Sequence, residues 1–188
     1  MTGSLLPVHD RGHIVPRYRD TPIADLLAYH SLASPHRAYD QAELLVGMCM
    51  DHRQRLRIPD GVAYIMRVGG ARILRLEFQI SFAIAIGGVQ AIAVVGHDQC
   101  GMVNLGARRQ AFIRGLITKA GWSRRKAESH FDSLAEQFEI GDATVSILRE
   151  AAQLRQKYPA VAVAPLMYRL SDGLLYQVDE TQGEEVPR

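Results

Sequence analysis

Apolar residues in this chain gather in short unbroken runs, set apart by turn signals and by segments of helical period. Leu44–Met48 and Ala91–Val95 are continuous apolar runs, and Val62–Arg67 follows the turn signal Ile58-Pro59-Asp60-Gly61. Runs of this length without polar alternation read as strands covered on both faces. Between the second and third strands, Leu74–Ile86 places Leu76, Ile80, Ala83 and Ile84 at helical spacing and stops at Gly87-Gly88. Strand, connection, strand, helix, strand predicts an α/β fold: a mainly parallel central sheet with right-handed crossovers, flanked by helices.

The flanking segments are read the same way. Up to Arg19 the chain has no clear period, which predicts a loose or extended start. Thr21-Pro22 then caps and opens a helix over Ile23–His30. Later, Ala107–Ala120, Ser123–Phe138 and Asp142–Lys157 read as three helices, with Ser123 and Asp142 as caps. A fourth strand begins at Val161–Ala164. Met167–Leu170 and Leu174–Val178, joined by Ser171-Asp172-Gly173, read as a hairpin, and Glu180–Arg188 as a frayed polar tail. The 188 residues fit a single domain, 1–188, with an N-terminal arm of about 1–40 and a helical insert of about 105–157.

Composition narrows the class without naming a reaction. Apolar content of 47%, charged content of 22% and a net charge of +2 describe an ordinary globular protein and give no indication of nucleic acid. No apolar run is long enough to span a membrane and the start lacks a signal-peptide core, so the expected location is cytoplasmic. The chemistry sits where two strands end. Cys49 follows the first strand, and His97 and Cys100 follow the third; these are the only two cysteines. Two thiolates and an imidazole suit Zn2+, and three protein ligands leave one position for water or a removable fourth group. A disulfide, or two inert thiols, is the alternative; the missing export signal and the His-x-x-Cys spacing disfavour it. In an open α/β sheet, sites lie beyond the carboxyl ends of strands where the order reverses. An order 2-1-3 would make the strands ending at Cys49 and His97 neighbours at that place.

Cys49-x-Asp51-x-Arg53, followed a strand, a helix and a strand later by His97-x-x-Cys100-Gly101, resembles the β-class carbonic anhydrases, specifically from about Glu43 to Met102. That resemblance implies a sheet of order 2-1-3-4 plus a C-terminal antiparallel hairpin strand. It implies Zn2+ on Cys49, His97 and Cys100, and reversible hydration of carbon dioxide to bicarbonate by zinc-bound hydroxide. It also implies an Asp51–Arg53 dyad: Arg53 holds Asp51, which accepts a hydrogen bond from zinc-bound water or closes the site as a fourth ligand. The other reading of that pair is a surface ion pair. The N-terminal helix could lie on its own domain or on a neighbouring subunit; the family further implies a homodimer or higher homo-oligomer, and favours exchange of that helix between subunits. One departure is that Arg67-Val68-Gly69-Gly70 stands where the family has Arg-Asn-Ala-Gly. A more apolar pocket would suit the superfamily's hydrolases of carbonyl sulfide or carbon disulfide; a non-catalytic zinc protein that binds a partner is a third reading. Gly69, Gly70 and Gly101 are candidates for close backbone approach or for plain turns, Gly101 with an N–H near a thiolate. Asp98 is a candidate to orient His97, to take a proton or to cap a helix. His52, His30 and His36 are proton-shuttle candidates or ordinary histidines, and Trp122 is a packing anchor. Arg108-Arg109 and Arg124-Arg125-Lys126 read as solvated helix faces or an oligomer contact before a phosphate site.

Overall fold

The chain is described by a computed structural model over residues 3–180; the polar tail beyond Glu180 lies outside the described residues. In order, the elements are β1 (Leu5–Leu6), α1 (Pro22–Leu32), β2 (Leu44–Met48), β3 (Ala63–Arg67), α2 (Glu77–Ala85), β4 (Ala91–His97), α3 (Arg109–Ala120), α4 (Arg124–Phe138), α5 (Ala143–Lys157), β5 (Ala162–Arg169) and β6 (Leu174–Val178). The strands form one six-stranded mixed sheet in the order β1-β6-β5-β4-β2-β3. β3, β2, β4 and β5 run parallel, while β6 is antiparallel to β5 and to β1. This is the expected 2-1-3-4 arrangement with its closing hairpin strand. β2 and β4, which end at the cysteine and histidine positions, are adjacent.

The apolar runs are apolar throughout because both faces are covered. On one face Leu44, Val46, Met48, Ala91, Ala93 and Val95 pack under α1, through Ile23, Leu26 and Leu27. On the other, Leu45, Ile92, Val94 and Val163 pack under α2 and α5, through Ile80, Ala83, Ile147, Ala151 and Leu154. Alternate residues of each strand serve opposite layers, as the pleat requires. No helix among the described residues is long and apolar enough to cross a membrane.

Several expectations are corrected. The N-terminal stretch is not loose: β1 pairs with β6, and the buried Gln177 side chain accepts from Val15 N at 2.8 Å and donates to His13 O at 2.9 Å. Of the two placements open to the N-terminal helix, α1 takes the one on its own sheet, where it is buried, and it is capped by Thr21 as anticipated. The fourth strand, β5, runs through Pro165 to Arg169. In a strand, the carbonyl of residue i and the N–H of i+2 face the same neighbour, so the donor that Pro165 lacks falls on the side where Val163 O is already taken by Tyr18 and Arg155 side chains. The β6 ladder starts one residue later, at Leu166. Finally, α5 belongs to the core layer rather than to an insert, and the segment that leaves the sheet is the α3–α4 pair. Arg109 holds Asp132 by two hydrogen bonds of 2.7 Å, Trp122 packs edge-on to His130, and Lys126 lies over the indole, so part of the basic cluster serves this pair.

Gly47, in the middle of β2, is fixed by packing. A Cβ there would stand 2.4 Å from Ile73 Cδ1 and 2.7 Å from its Cγ2. Gly47→Ala is therefore expected to cost about 1–3 kcal/mol through overpacking, read as a lower urea midpoint with unchanged slope. An unchanged midpoint would show that Ile73 moves aside freely.

Candidate metal centre

Where β2 and β4 end, the chain turns sharply and three ligand types converge. The sulfurs of Cys49 and Cys100 and a ring nitrogen of His97 all lie within 4.8 Å of one another, and all three residues are buried. The strand expected to end at Val95 continues to His97, the last residue of β4, so the sheet itself fixes its backbone. The two sulfurs are 3.8 Å apart. Two sulfurs at about 2.3 Å from one tetrahedral ion stand about 3.8 Å apart, so the pair needs no rearrangement to share a metal.

His97 supplies the sharper test. Its Nδ1 is 2.7 Å from Asp98 O. A carbonyl only accepts, so Nδ1 carries the proton and Nε2 presents a lone pair. That Nε2 is buried and has no hydrogen-bond partner among the described residues. Leaving a buried polar atom unpaired costs about 1–3 kcal/mol, unless a cation takes the lone pair. The donor set therefore fits a soft divalent ion such as zinc, held by Cys49, His97 and Cys100. The orienting group is the Asp98 carbonyl; the Asp98 carboxylate is engaged elsewhere, accepting from Leu170 N at 2.8 Å.

The electrostatics agree. The sulfur–sulfur hydrogen bond pulls the Cys49 thiol well below the ordinary thiol range and pushes Cys100 above it. Burial opposes ionisation of both. At Cys49 it is outweighed by that bond, by the neighbouring imidazole of His97 and by the backbone N–H groups of Asp51 and Gly70. At Cys100 the helpful backbone donor is Met102, not Gly101. Burial works against charge on His97, but the negative charge beside it on Cys49 and Asp51 leaves its pKa raised. A cation relieves the crowding of negative charge that keeps a proton on the pair.

Asp51 stands at the mouth. Arg53 grips it with two prongs, Nε to Oδ1 at 3.0 Å and Nη2 to Oδ2 at 2.7 Å, and the Arg53 backbone N–H adds a third contact at 2.9 Å. These contacts, the side-chain ones first, hold the Asp51 carboxyl far below the usual carboxylate range. Its Oδ2 is 3.9 Å from His97 Nε2. Arg53 also donates to Gln99 O at 3.1 Å, tying the two ligand loops together.

Other expectations sort as follows. Arg67, at the end of β3, was not read as a site residue, yet its guanidinium reaches the carbonyls of Cys49, Asp51 and Gln54 at 3.4, 3.2 and 3.3 Å and fixes the first ligand loop. Gln54 was missed too; it is buried behind that loop and donates to Gly96 O at 3.4 Å. Gly70 has the expected positive φ, +68°, and a Cβ there would be 2.9 Å from Ile140 Cγ2. Val68 does not line the site but packs against the α2–α5 layer. His30 is buried between Gly173 O and Arg57 N, its pKa lowered by burial, and is structural. His36 bonds its neighbour Arg37 O, and His52 is exposed beside Asp51.

A Cys–His–Cys cluster that could hold a metal ion thus lies at the carboxyl ends of adjacent parallel strands of an α/β fold. The carbonic anhydrase family model matches residues 45–180, so the chain belongs to the carbonic anhydrase family, in its β-class. Among solved structures it is similar to a carbonic anhydrase from Glaciozyma antarctica, at 21% identity and TM-score 0.59 over 88% of this chain and 100% of that one. It is similar to β-carbonic anhydrase isoform I of Trichomonas vaginalis, at 16% identity and TM-score 0.59 over 84% and 95%. A carbon disulfide hydrolase is similar at 18% identity and TM-score 0.52 over 89% and 92%. Among curated proteins, none matches the sequence.

Cys100→Ser is expected to weaken zinc binding by more than about 100-fold, beyond what losing an outer hydrogen-bond partner does, as measured by chelator competition. Unchanged affinity would remove Cys100 from the ligand set.

Proposed function

We propose that this chain is a carbonic anhydrase that interconverts carbon dioxide and bicarbonate, with Cys49, His97 and Cys100 holding zinc and Asp51 and Arg53 organising the mouth of the site. The supporting observation is the buried, unpartnered Nε2 of His97, facing two thiols and a clamped carboxylate. When bound, zinc acts as a Lewis acid that brings the pKa of water from about 16 towards about 7. The residues of the chain do the rest. The Asp98 carbonyl fixes the His97 tautomer, and backbone N–H groups from Asp51, Gly70 and Met102 stabilise the two sulfurs. Arg53 keeps Asp51 ionised, and an ionised carboxylate only accepts hydrogen bonds. A solvent molecule in the site therefore donates to Asp51 and turns a lone pair towards the carbon of the substrate. Arg67 holds the Asp51 loop still by collecting three of its carbonyls.

A second reading, hydrolysis of carbonyl sulfide or carbon disulfide, has one observation in its favour. Apart from the three ligand residues, the cavity is lined by Gly70, Gly96, Ile140 and Ala143, with no further polar side chain. The two free cysteines agree with a reducing compartment such as the cytoplasm.

The partner we infer beyond substrate is a second copy of the chain. Among the described residues, β3 is the last strand of the sheet and pairs only with β2. Beside that open edge, Ile65 is 53% exposed, and Phe78, Phe82 and Ile86 form a stripe along α2 that is 78%, 51% and 73% exposed. A twofold axis at the edge pairs β3 with its own copy and covers both stripes at once, removing the edge and the patch together.

Stopped-flow hydration of carbon dioxide on zinc-loaded protein at about pH 7–9 tests the reaction. Activity above buffer is expected, with Asp51→Ala keeping zinc and losing about 100-fold or more, the range for a positioned proton-handling group. Sulfide release from carbon disulfide without carbon dioxide hydration would move the assignment to the second reading. In sedimentation velocity the wild type is expected to be at least dimeric, and a Phe78→Glu, Phe82→Glu variant to lose that contact while keeping its zinc. A monomeric wild type would contradict the inferred partner.

A further inference from the structure

Asp98, where β4 leaves the sheet, accepts two hydrogen bonds with two different groups. Ala162 N donates to Gln90 O at 3.2 Å at the start of the β4–β5 pairing. Along parallel strands such donors recur at every second residue. The pairing keeps one register from Ala91↔Ala162 to His97↔Tyr168. The even-numbered N–H groups of β5 therefore face β4, each towards the carbonyl of the residue 72 positions earlier. Leu170 is next in that series, and its ladder acceptor is the Asp98 carbonyl. Leu170 N instead donates to Asp98 Oδ1 at 2.8 Å.

That exchange leaves the Asp98 carbonyl for His97 Nδ1, at 2.7 Å. A carbonyl kept in the ladder lies in the plane of the sheet, whereas side chains stand roughly perpendicular to it, so it would not meet the imidazole. The chain turns at the same point. Gln99 takes φ +53°, a left-handed conformation uncommon for a residue with a Cβ. Such a conformation persists where its surroundings fix it. Two contacts do so here: Asp98 Oδ1 with Leu170 N before Gln99, and Arg53 Nη2 donating to Gln99 O. The hairpin that carries Leu170 is itself anchored, since Gly173 N donates to Arg169 O and His30 Nε2 donates to Gly173 O, each at 2.8 Å.

We propose that the Asp98 carboxylate is a positioning residue for His97. It stands in for its own main-chain carbonyl at the end of the β4–β5 ladder, and so releases that carbonyl to hold Nδ1–H and keep the Nε2 lone pair facing the two sulfurs. This deepens the metal-centre reading and rests on it. The role requires an acceptor at that position and no charge. Removing the side chain returns Leu170 N to the main-chain carbonyl and leaves the imidazole without its orienting bond.

The test uses the full-length protein, isotope-labelled at its histidine nitrogens for NMR, and two variants. Asp98→Asn keeps an oxygen that accepts from Leu170 N; Asp98→Ala removes it. In metal-free protein, at a pH where the ring is neutral, the nitrogen shifts report which ring atom carries the proton. Wild type and Asp98→Asn are expected to show His97 Nδ1–H alone, and Asp98→Ala a mixture of both tautomers. Zinc affinity by chelator competition is expected to fall about 10–100-fold in Asp98→Ala, the range for losing a group that orients a metal-bound histidine, and to stay near the wild-type value in Asp98→Asn. Asp98→Ala with a single Nδ1–H tautomer and unchanged affinity overturns the proposal, as does Asp98→Asn that behaves like Asp98→Ala. If Asp98→Ala does not fold, scalar coupling across the hydrogen bond carries the test in the wild type. There the Leu170 amide nitrogen is expected to couple to the Asp98 carboxyl carbon, and coupling to the Asp98 main-chain carbonyl carbon overturns the role. Wild type that shows the expected tautomer and binds no zinc overturns the metal-centre reading and this proposal with it, whereas failure of the tautomer arm overturns the role of Asp98 alone.

Discussion

An imidazole nitrogen that is buried, deprotonated and without a partner is the constraint from which the site follows. Its tautomer is set by one short hydrogen bond from Nδ1 to the Asp98 carbonyl, made where β4 turns out of the sheet. A lone pair so placed costs free energy in the apo chain, and the two thiols beside it add a second cost, since both cannot ionise while nothing balances their charge. A divalent ion removes both costs together. Metal binding here is thus coupled to folding.

The sheet exists to bring these groups together. β2 and β4 are neighbours in parallel register, so their carboxyl ends expose Cys49 and His97 side by side although a strand, a helix and two turns separate them in sequence. The crossover through β3 adds Arg67, which holds the first ligand loop, and the connection after β3 adds Gly70, whose N–H reaches Cys49. Arg53 spans the two loops by holding Asp51 and Gln99 O at once. These contacts are to backbone or to a clamped carboxylate, so the geometry is rigid before any substrate arrives.

Much of this was legible in the chain. Continuous apolar runs located β2 and β4 to within two residues, because a strand buried on both faces admits few polar residues, whereas β3 is a half-exposed edge strand marked by the turn signal before it. The two cysteines and the His-x-x-Cys spacing marked the cluster because few other arrangements place soft ligands at strand ends. The edge strand β1 was not legible, since two leucines carry no periodicity and their strand character comes from pairing with β6. β5 tolerates Pro165 because the missing donor faces side chains rather than a strand. Nor did the sequence point to Arg67 or Gln54. Each acts through a long-range contact with a loop, and no local pattern encodes that. Val68 misled in the opposite direction: a conspicuous departure in sequence, it packs into the core layer away from the cavity.

The most direct test of the central claim is zinc K-edge X-ray absorption on the purified, zinc-loaded protein. The account predicts two sulfur scatterers at about 2.3 Å and a histidine nitrogen at about 2.0–2.1 Å, with the fourth position filled by a light atom. A spectrum without two sulfur scatterers, or protein whose two cysteines are found joined as a disulfide, would contradict it.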